Sequence, residues 1–225
     1  MCFVGREKET KLLHNALKQK HNVIVAGSFG IGKTYLVTHV AENHEETRKF
    51  VFVDFSKSVG DACIHLLKEF STRRHRAGKS IRSLSYKSGR SILSRIEFKK
   101  QEAPIIVLDN VFRFTNARKV FLRELSLEQH YQFIAITESF LPPKELFLLR
   151  ATLYPVEMIT LRYFNQEATL EYFRSMAQKK KIEMTEERMR WLAKKSRGHP
   201  LMMRDMAKGE TTERAHGEKY TVDNG

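Results

Sequence analysis

The chain has 225 residues, 41% hydrophobic and 29% charged, enough to bury a full core as one domain with an appendage or as two small domains. No apolar run approaches the roughly 18 residues that cross a bilayer, the opening Met1-Cys-Phe-Val-Gly-Arg6 lacks the layout of a leader, and Cys2 and Cys63 are too few for a disulfide framework or a zinc site. A reduced, cytoplasmic globular protein with no membrane attachment is expected, and a formal net charge of +14 points to a polyanionic partner, either nucleic acid or an acidic protein.

Between Arg6 and Gln19, Leu12, Leu13, Ala16 and Leu17 recur at helical spacing. Val23-Ile-Val-Ala26 then reads as a buried strand. It is followed at once by Gly27-Ser28-Phe29-Gly30-Ile31-Gly32-Lys33-Thr34 and by a helical stretch, Tyr35 to Ala41. The octapeptide fits G-x-x-x-x-G-K-[ST] at every position, in the strand–loop–helix setting that a phosphate-binding loop needs. Its glycines let successive backbone N–H groups converge on phosphate oxygens. Lys33 is placed to reach the β- and γ-phosphates and Thr34 to ligate magnesium. All eight residues, with Tyr35 after them, are candidates for nucleotide contact.

Phe50 to Phe55 reads as a second strand and Asp61 to Phe70 as a helix with an apolar stripe of Ile64, Leu66, Leu67 and Phe70. Ser71 to Gly89 is polar and basic without a clear period, and Ser91 to Lys100 regains helical character. Pro104 to Asn110 is a third strand, Val120 to Leu127 a helix, and Gln132 to Thr137 a fourth strand. Pro142 and Pro143 open a short helix, Lys144 to Arg150, and Val156 to Leu161 is a fifth strand. Beyond Phe164 only helices are expected: Ala168 to Lys179, then one capped by Thr185 with Gly198 just past its end, then one opened by Pro200. The polar tail from Gly209 is expected to be loose, with Tyr220-Thr-Val222 able to pair as an edge strand. Strands alternating with helices imply an α/β fold, a parallel sheet covered on both faces, followed by a small helical lid. The domain boundaries expected are 1–164 for the phosphate-loop domain, 165–208 for the lid and 209–225 for the tail.

Asp109 ends an apolar strand 76 residues after Lys33, where a carboxylate can hold magnesium. The next residue is Asn110, able to orient a water but a very poor base. Glu138, just after the fourth strand, is the substitute carboxylate. Slow hydrolysis, or hydrolysis completed by a neighbouring subunit, is therefore expected.

At this point the chain, over about residues 3 to 208, resembles the AAA+ superfamily of P-loop ATPases. Within it, Phe3-Val-Gly-Arg6-Glu7 resembles the opening box of the branch holding origin-recognition, archaeal-type and STAND signalling ATPases. Gly27 to Thr34 matches Walker A, and Ile105 to Asp109 matches Walker B, with Asn110 departing from the usual second acid. Gly198-His-Pro200-Leu201 resembles the GxP motif of the STAND lid. The resemblance implies ATP and Mg2+ as cofactors, bound in a cleft between sheet and lid. Phe3, Val4 and Gly5 would lie near the adenine, with Pro200 and Leu201 closing from the lid. It also implies Thr137 as sensor 1, Arg204 as a sensor 2 arginine, and Arg150 as the arginine that completes a neighbouring subunit's site. Only the short tail follows Lys208, so action through another polypeptide or by self-assembly is expected.

Ser71 to Lys100 holds ten basic residues against one acid, Glu97. Arg73, Arg74, Arg76, Lys79, Arg82, Lys87 and Arg90 are candidates for DNA phosphate contacts, with serines and glycines between them. Only Tyr86 precedes Phe98, so no platform for stacking bases is indicated. A second cluster, Lys179 to Lys181 through Arg197, lies on the lid. The leading expectation is a self-assembling ATPase that binds duplex DNA through phosphates, without sequence specificity, and recruits or regulates a partner protein, as transposition and replication regulators do. The alternative is a STAND-like nucleotide switch that acts on a protein partner without DNA. A metabolic kinase is disfavoured, since no acceptor site is visible.

Overall fold

A computed structural model describes residues 5–43, 48–70, 84–98, 103–127 and 131–217. Two compact units are distinguished. One comprises Glu9–Ser28 and Lys33–Thr160, the other Met1–Lys8, Phe29–Gly32 and Leu161–Gly225.

The first unit is built on β1 (Asn22–Gly27), β2 (Phe50–Asp54), β3 (Ile105–Val111), β4 (Gln132–Glu138) and β5 (Val156–Thr160). All pair in parallel, in the order β2-β3-β4-β1-β5. Parallel strands are covered on both faces, which is why β1, β3 and β4 read as nearly unbroken apolar runs. On one face Ile24, Val53, Ile106, Leu108, Phe133 and Ala135 form a core with α3 (Val59–Phe70), α4 (Tyr86–Ser94), α5 (Asn116–Leu127) and α6 (Pro143–Thr152). By the period of two, the buried Val23, Val25, Ile105, Val107, Ile134 and Ile136 turn to the other face. The crossover through α2 (Lys33–Glu42) steps opposite to the other three, so right-handedness puts α2 on that second face. Its Leu36, Val37 and Val40, and Leu13 and Leu17 of α1 (Glu7–Lys18), are fully buried.

The start of β1 is fixed by one side chain. Asn22 Nδ2 donates to Leu153 O at 2.7 Å, and Asn22 Oδ1 accepts from Phe133 N–H at 2.7 Å.

The second unit holds α7 (Gln166–Lys180), α8 (Glu186–Ser196) and α9 (Pro200–Gly217), packed through Phe173, Met176, Leu192, Ala193, Met203 and Ala207. The Asn165 side chain caps α7 and the Thr185 side chain caps α8, accepting from the N–H groups of Ala168 and Arg188. Arg197 then leaves α8 in the left-handed region at φ 50°.

Several boundaries differ from the sequence expectation, and α5, for one, begins at Asn116 rather than Val120. The helix expected over Ser91 to Lys100 is α4, which begins at Tyr86 because Ser85 caps it by accepting from Ser88 N–H. It ends at Ser94. β3, expected over Pro104 to Asn110, runs from Ile105 to Val111 through an irregularity. The loose tail expected from Gly209 is instead the continuation of α9 to Gly217, which Glu210 joins to α8 through an ion pair with Arg188 at 2.6 Å. Tyr220 to Val222 lies outside the described residues.

Candidate active site

In the sheet unit three neighbouring strands end in an acid: Asp54 on β2, Asp109 near the end of β3 and Glu138 on β4. Ligands of open parallel sheets bind outside these carboxyl ends. Lys33 opens α2 and its side chain is only 6% exposed. Its ammonium donates to Gly27 O and Ser28 O, both at 2.9 Å, and to the Glu138 carboxylate at 3.0 Å. The register explains the last contact, since Gly27 and Glu138 are partners at the ends of β1 and β4. A buried ammonium needs such compensation. Thr34 Oγ1 lies 3.2 Å from both oxygens of Asp109. Lys33, Thr34, Asp109 and Glu138 are thus brought together.

The irregularity in β3 shapes the acidic edge. Leu108 pairs with Ala135 and Val111 with Thr137, so β3 spends one residue more than β4 over the same span. Asn110 takes up the excess at φ 59°, a conformation that asparagine adopts more readily than other side-chain-bearing residues. Asp109 Oδ1 accepts the Asn110 N–H at 2.9 Å. The Asn110 amide Nδ2 donates in turn to Asp54 Oδ1 at 3.4 Å. Asp54 Oδ1 also receives the Ser56 hydroxyl at 2.6 Å and the Ser56 N–H at 3.1 Å. The Ser56 hydroxyl is the chief reason the Asp54 carboxyl lies below its usual range. A hydrogen-bonded row therefore runs Thr34, Asp109, Asn110, Asp54, Ser56. Thr137 is buried at the same end of β4, in register with Ala26 and Val111.

The helical unit has its own constellation. Arg6, 7% exposed, donates to Arg162 O at 2.8 Å and Ile31 O at 3.3 Å, with its guanidinium 4.3 Å from the centre of the Phe164 ring. Gly30 has φ 72°, and a Cβ there would lie 3.0 Å from His199 Cε1 and 3.1 Å from Leu201 Cβ. Gly198 has φ 70°, and its Cβ would fall 2.0 Å from Phe164 O. The His199 ring lies 5.1 Å from that of Tyr163, and its Nδ1 is buried without a hydrogen-bond partner among the described residues. Pro200 and Leu201 open α9, while Arg204 is exposed with Nε 3.3 Å from Asp205 Oδ1. Phe29 is 75% exposed.

Other expected site residues are placed apart or lie beyond description. Arg150 is exposed in the last turn of α6, and Tyr35 is half-buried on α2. Phe3, Val4, Arg73, Arg74, Arg76, Lys79 and Arg82 fall outside the described residues. Lys87 is exposed on α4. Arg90 is ion-paired with Glu124 and lies 5.3 Å from the Tyr86 ring centre, so its charge is already engaged. Two residues of the constellations were missed in the sequence. Asp54 carries the same signal that identified Asp109, an acid closing an apolar strand. Arg6 carried only its place in the opening box.

No protein-family model matches the chain, and no curated protein does. Solved structures do. The ORC1 protein of Aeropyrum pernix, determined in complex with DNA, is 16% identical with a TM-score of 0.58 over 79% of this chain and 50% of that one. A STAND protein with a tetratricopeptide repeat sensor from Pyrococcus horikoshii is 23% identical, TM-score 0.55, over 89% of this chain and 29% of the other. A Walker-type ATPase of Pyrococcus abyssi is 14% identical, TM-score 0.61, over 98% and 77%. The chain thus spans half or less of the first two. The chain shares the fold of these solved structures.

Proposed function

We propose that the chain binds ATP with Mg2+, hydrolyses it slowly, and in the ATP-bound state self-assembles and binds duplex DNA without sequence specificity, so as to recruit or regulate a partner protein. One observation carries the nucleotide reading: Lys33 and Thr34, at the head of one helix, already contact Glu138 and Asp109 at the ends of two strands. The donor set suits the group. Mg2+ takes oxygen ligands and is commonly held by one or two carboxylates together with phosphates and waters. Thr34 and Asp109 offer one hydroxyl and one carboxylate, and no group of three or more metal-binding side chains stands among the described residues. Mg-ATP, when bound, supplies the scissile phosphoanhydride and the cation that neutralises its developing charge.

The residues divide the remaining work. Lys33 exchanges two carbonyls and a carboxylate for phosphate oxygens. Glu138, released from Lys33, becomes available to accept a proton from water. Asn110 offers no base where a second acid is usual, which keeps turnover slow. Thr137 is the proposed sensor of the γ-phosphate, and the exposed Arg150 is offered to a neighbouring copy. The DNA role is supported by the +14 charge and the basic run through residue 100. One observation favours a protein partner instead: Phe140, Phe147 and Tyr154, on α6 and beside it, are 66%, 69% and 83% exposed.

The test is equilibrium binding of a fluorescent, non-hydrolysable ATP analogue. Binding by the wild type is expected, with a loss of at least about a hundredfold in Lys33→Ala, equal to roughly 2.7 kcal/mol. Glu138→Gln should keep the affinity while turnover falls. Equal binding by wild type and Lys33→Ala would overturn the reading.

A further inference from the structure

A carboxamide has one acceptor oxygen and one donor nitrogen, whereas an ionised carboxylate only accepts. The partner of Asn110 therefore decides which end of its amide faces which way. Asp54 takes the nitrogen, so Asn110 Oδ1 is turned away from Asp54. The backbone is fixed as well, by φ 59° and by the N–H bond to Asp109 Oδ1. Asp54 is itself held by both Ser56 donors, and Lys57 Nζ stands 3.9 Å from its other oxygen. Asp54 and Asp109 are register partners on β2 and β3. Residue 110 is exposed.

We propose that Asp54 is a positioning residue: by holding the amide nitrogen of Asn110 it presents Asn110 Oδ1 as the acceptor that orients the attacking water. This rests on the ATPase reading and deepens it. A carboxamide suffices to orient a water in other nucleotide hydrolases. The water oxygen forms its bond to the γ-phosphorus, the bond from that phosphorus to the β–γ bridging oxygen breaks, and its electron pair leaves with ADP. The water's proton passes to the Glu138 carboxylate, which Lys33 has released. Orientation and proton acceptance thus fall on different strands, β3 with its neighbour β2 for one and β4 for the other.

Single-turnover ATP hydrolysis and analogue affinity are measured on the full chain for wild type, Lys33→Ala, Asp54→Ala and Asp54→Asn. In Asp54→Ala the amide is free to turn, and the hydrolysis rate should fall about tenfold or more while analogue affinity stays within about twofold. Asp54→Asn keeps the size of the side chain and an acceptor oxygen, and should retain most of the rate. In the Asp54→Ala background, Asn110→Asp should recover activity, because a carboxylate at 110 needs no partner to fix its acceptors. Wild-type hydrolysis in Asp54→Ala overturns the proposal, as does a parallel loss of affinity and rate in both Asp54 variants. Hydrolysis by the wild type that is insensitive to Lys33→Ala overturns the ATPase reading instead, and the proposal with it.

Discussion

Gly198 has no room for a side chain. Its φ of 70° and the 2.0 Å approach of Phe164 O to the place of a Cβ are independent obstacles. The Phe164 N–H donates to Gly198 O at 3.0 Å, so the backbone cannot retreat without losing that bond. Gly198→Ala is expected to destabilise the helical unit by about 2–4 kcal/mol. Gly209 is the internal control. It lies inside α9 with nothing within 4 Å of a Cβ, and replacing it with alanine should stabilise by about 0.5–1 kcal/mol. Denaturant melts of the two variants should therefore move in opposite directions. Equal shifts would mean that the turn at Gly198 relaxes freely. The same reasoning covers Arg6, whose guanidinium joins Ile31, Arg162 and Phe164 in one side chain.

Between elements, Lys49 ties the chain just before β2 to the end of α3. Its ammonium donates to the Glu69 carboxylate at 2.6 Å and to Glu69 O at 3.3 Å. That hydrogen bond is the chief cause holding the Glu69 carboxyl below its usual value of 4.5. A depressed folded pKa stabilises the protein above the unfolded value, and the contribution disappears as pH falls through the folded one. Both side chains are more than a third exposed, so the contribution is below about 1 kcal/mol. Wild type should melt slightly above Glu69→Gln at pH 7, and the two should converge as pH falls through the lowered folded value. A gap that persists in acid would assign the effect to packing.

What was legible at this scale follows from what each signal depends on. β1, β3 and β4 showed themselves because strands buried on both faces must be apolar throughout. Lys33, Thr34 and Asp109 showed themselves because the glycine-rich loop motif and the acid near the end of an apolar strand are patterns of fixed residue types at fixed places. The bulge at Asn110 was hidden, since Leu-Asp-Asn-Val continues a strand and contains no glycine. Asp54 closes an apolar strand as Asp109 does, but its neighbourhood with Asp109 was hidden, because it depends on β2 pairing with β3, which is a fact of topology. The start of α4 was obscured by the many serines around Ser85, each a possible cap. α9 was cut short because Gly209 and the polar residues after it read as a tail, whereas Glu210 is held by Arg188 of α8.

For the whole molecule, charge is the quantity to follow. A protein that neutralises Z phosphates on duplex DNA shows log K falling against log salt with a slope of about −0.9Z. On the DNA reading, labelled duplex should bind only in the presence of the ATP analogue, with such a slope, and Lys33→Ala should lose that dependence on nucleotide. Reversing Arg73, Arg74 and Arg76 to Glu takes the formal charge from +14 to +8 and should abolish duplex binding. The basic run does not act as a block of ten equal charges. Arg90 is engaged by Glu124 and Tyr86, so Arg90→Glu should lower the melting temperature, by setting two acids against each other, while leaving the salt slope nearly unchanged. Lys87, exposed on the same helix, should do the reverse, with Lys87→Ala lowering the slope by about one and leaving the melt alone. If neither substitution moves the slope and the triple reversal leaves duplex binding intact, the charge serves something other than DNA. The exposed Phe140, Phe147 and Tyr154 then become the surface on which to seek a protein partner, and loss of partner binding in Lys33→Ala would place that surface under nucleotide control.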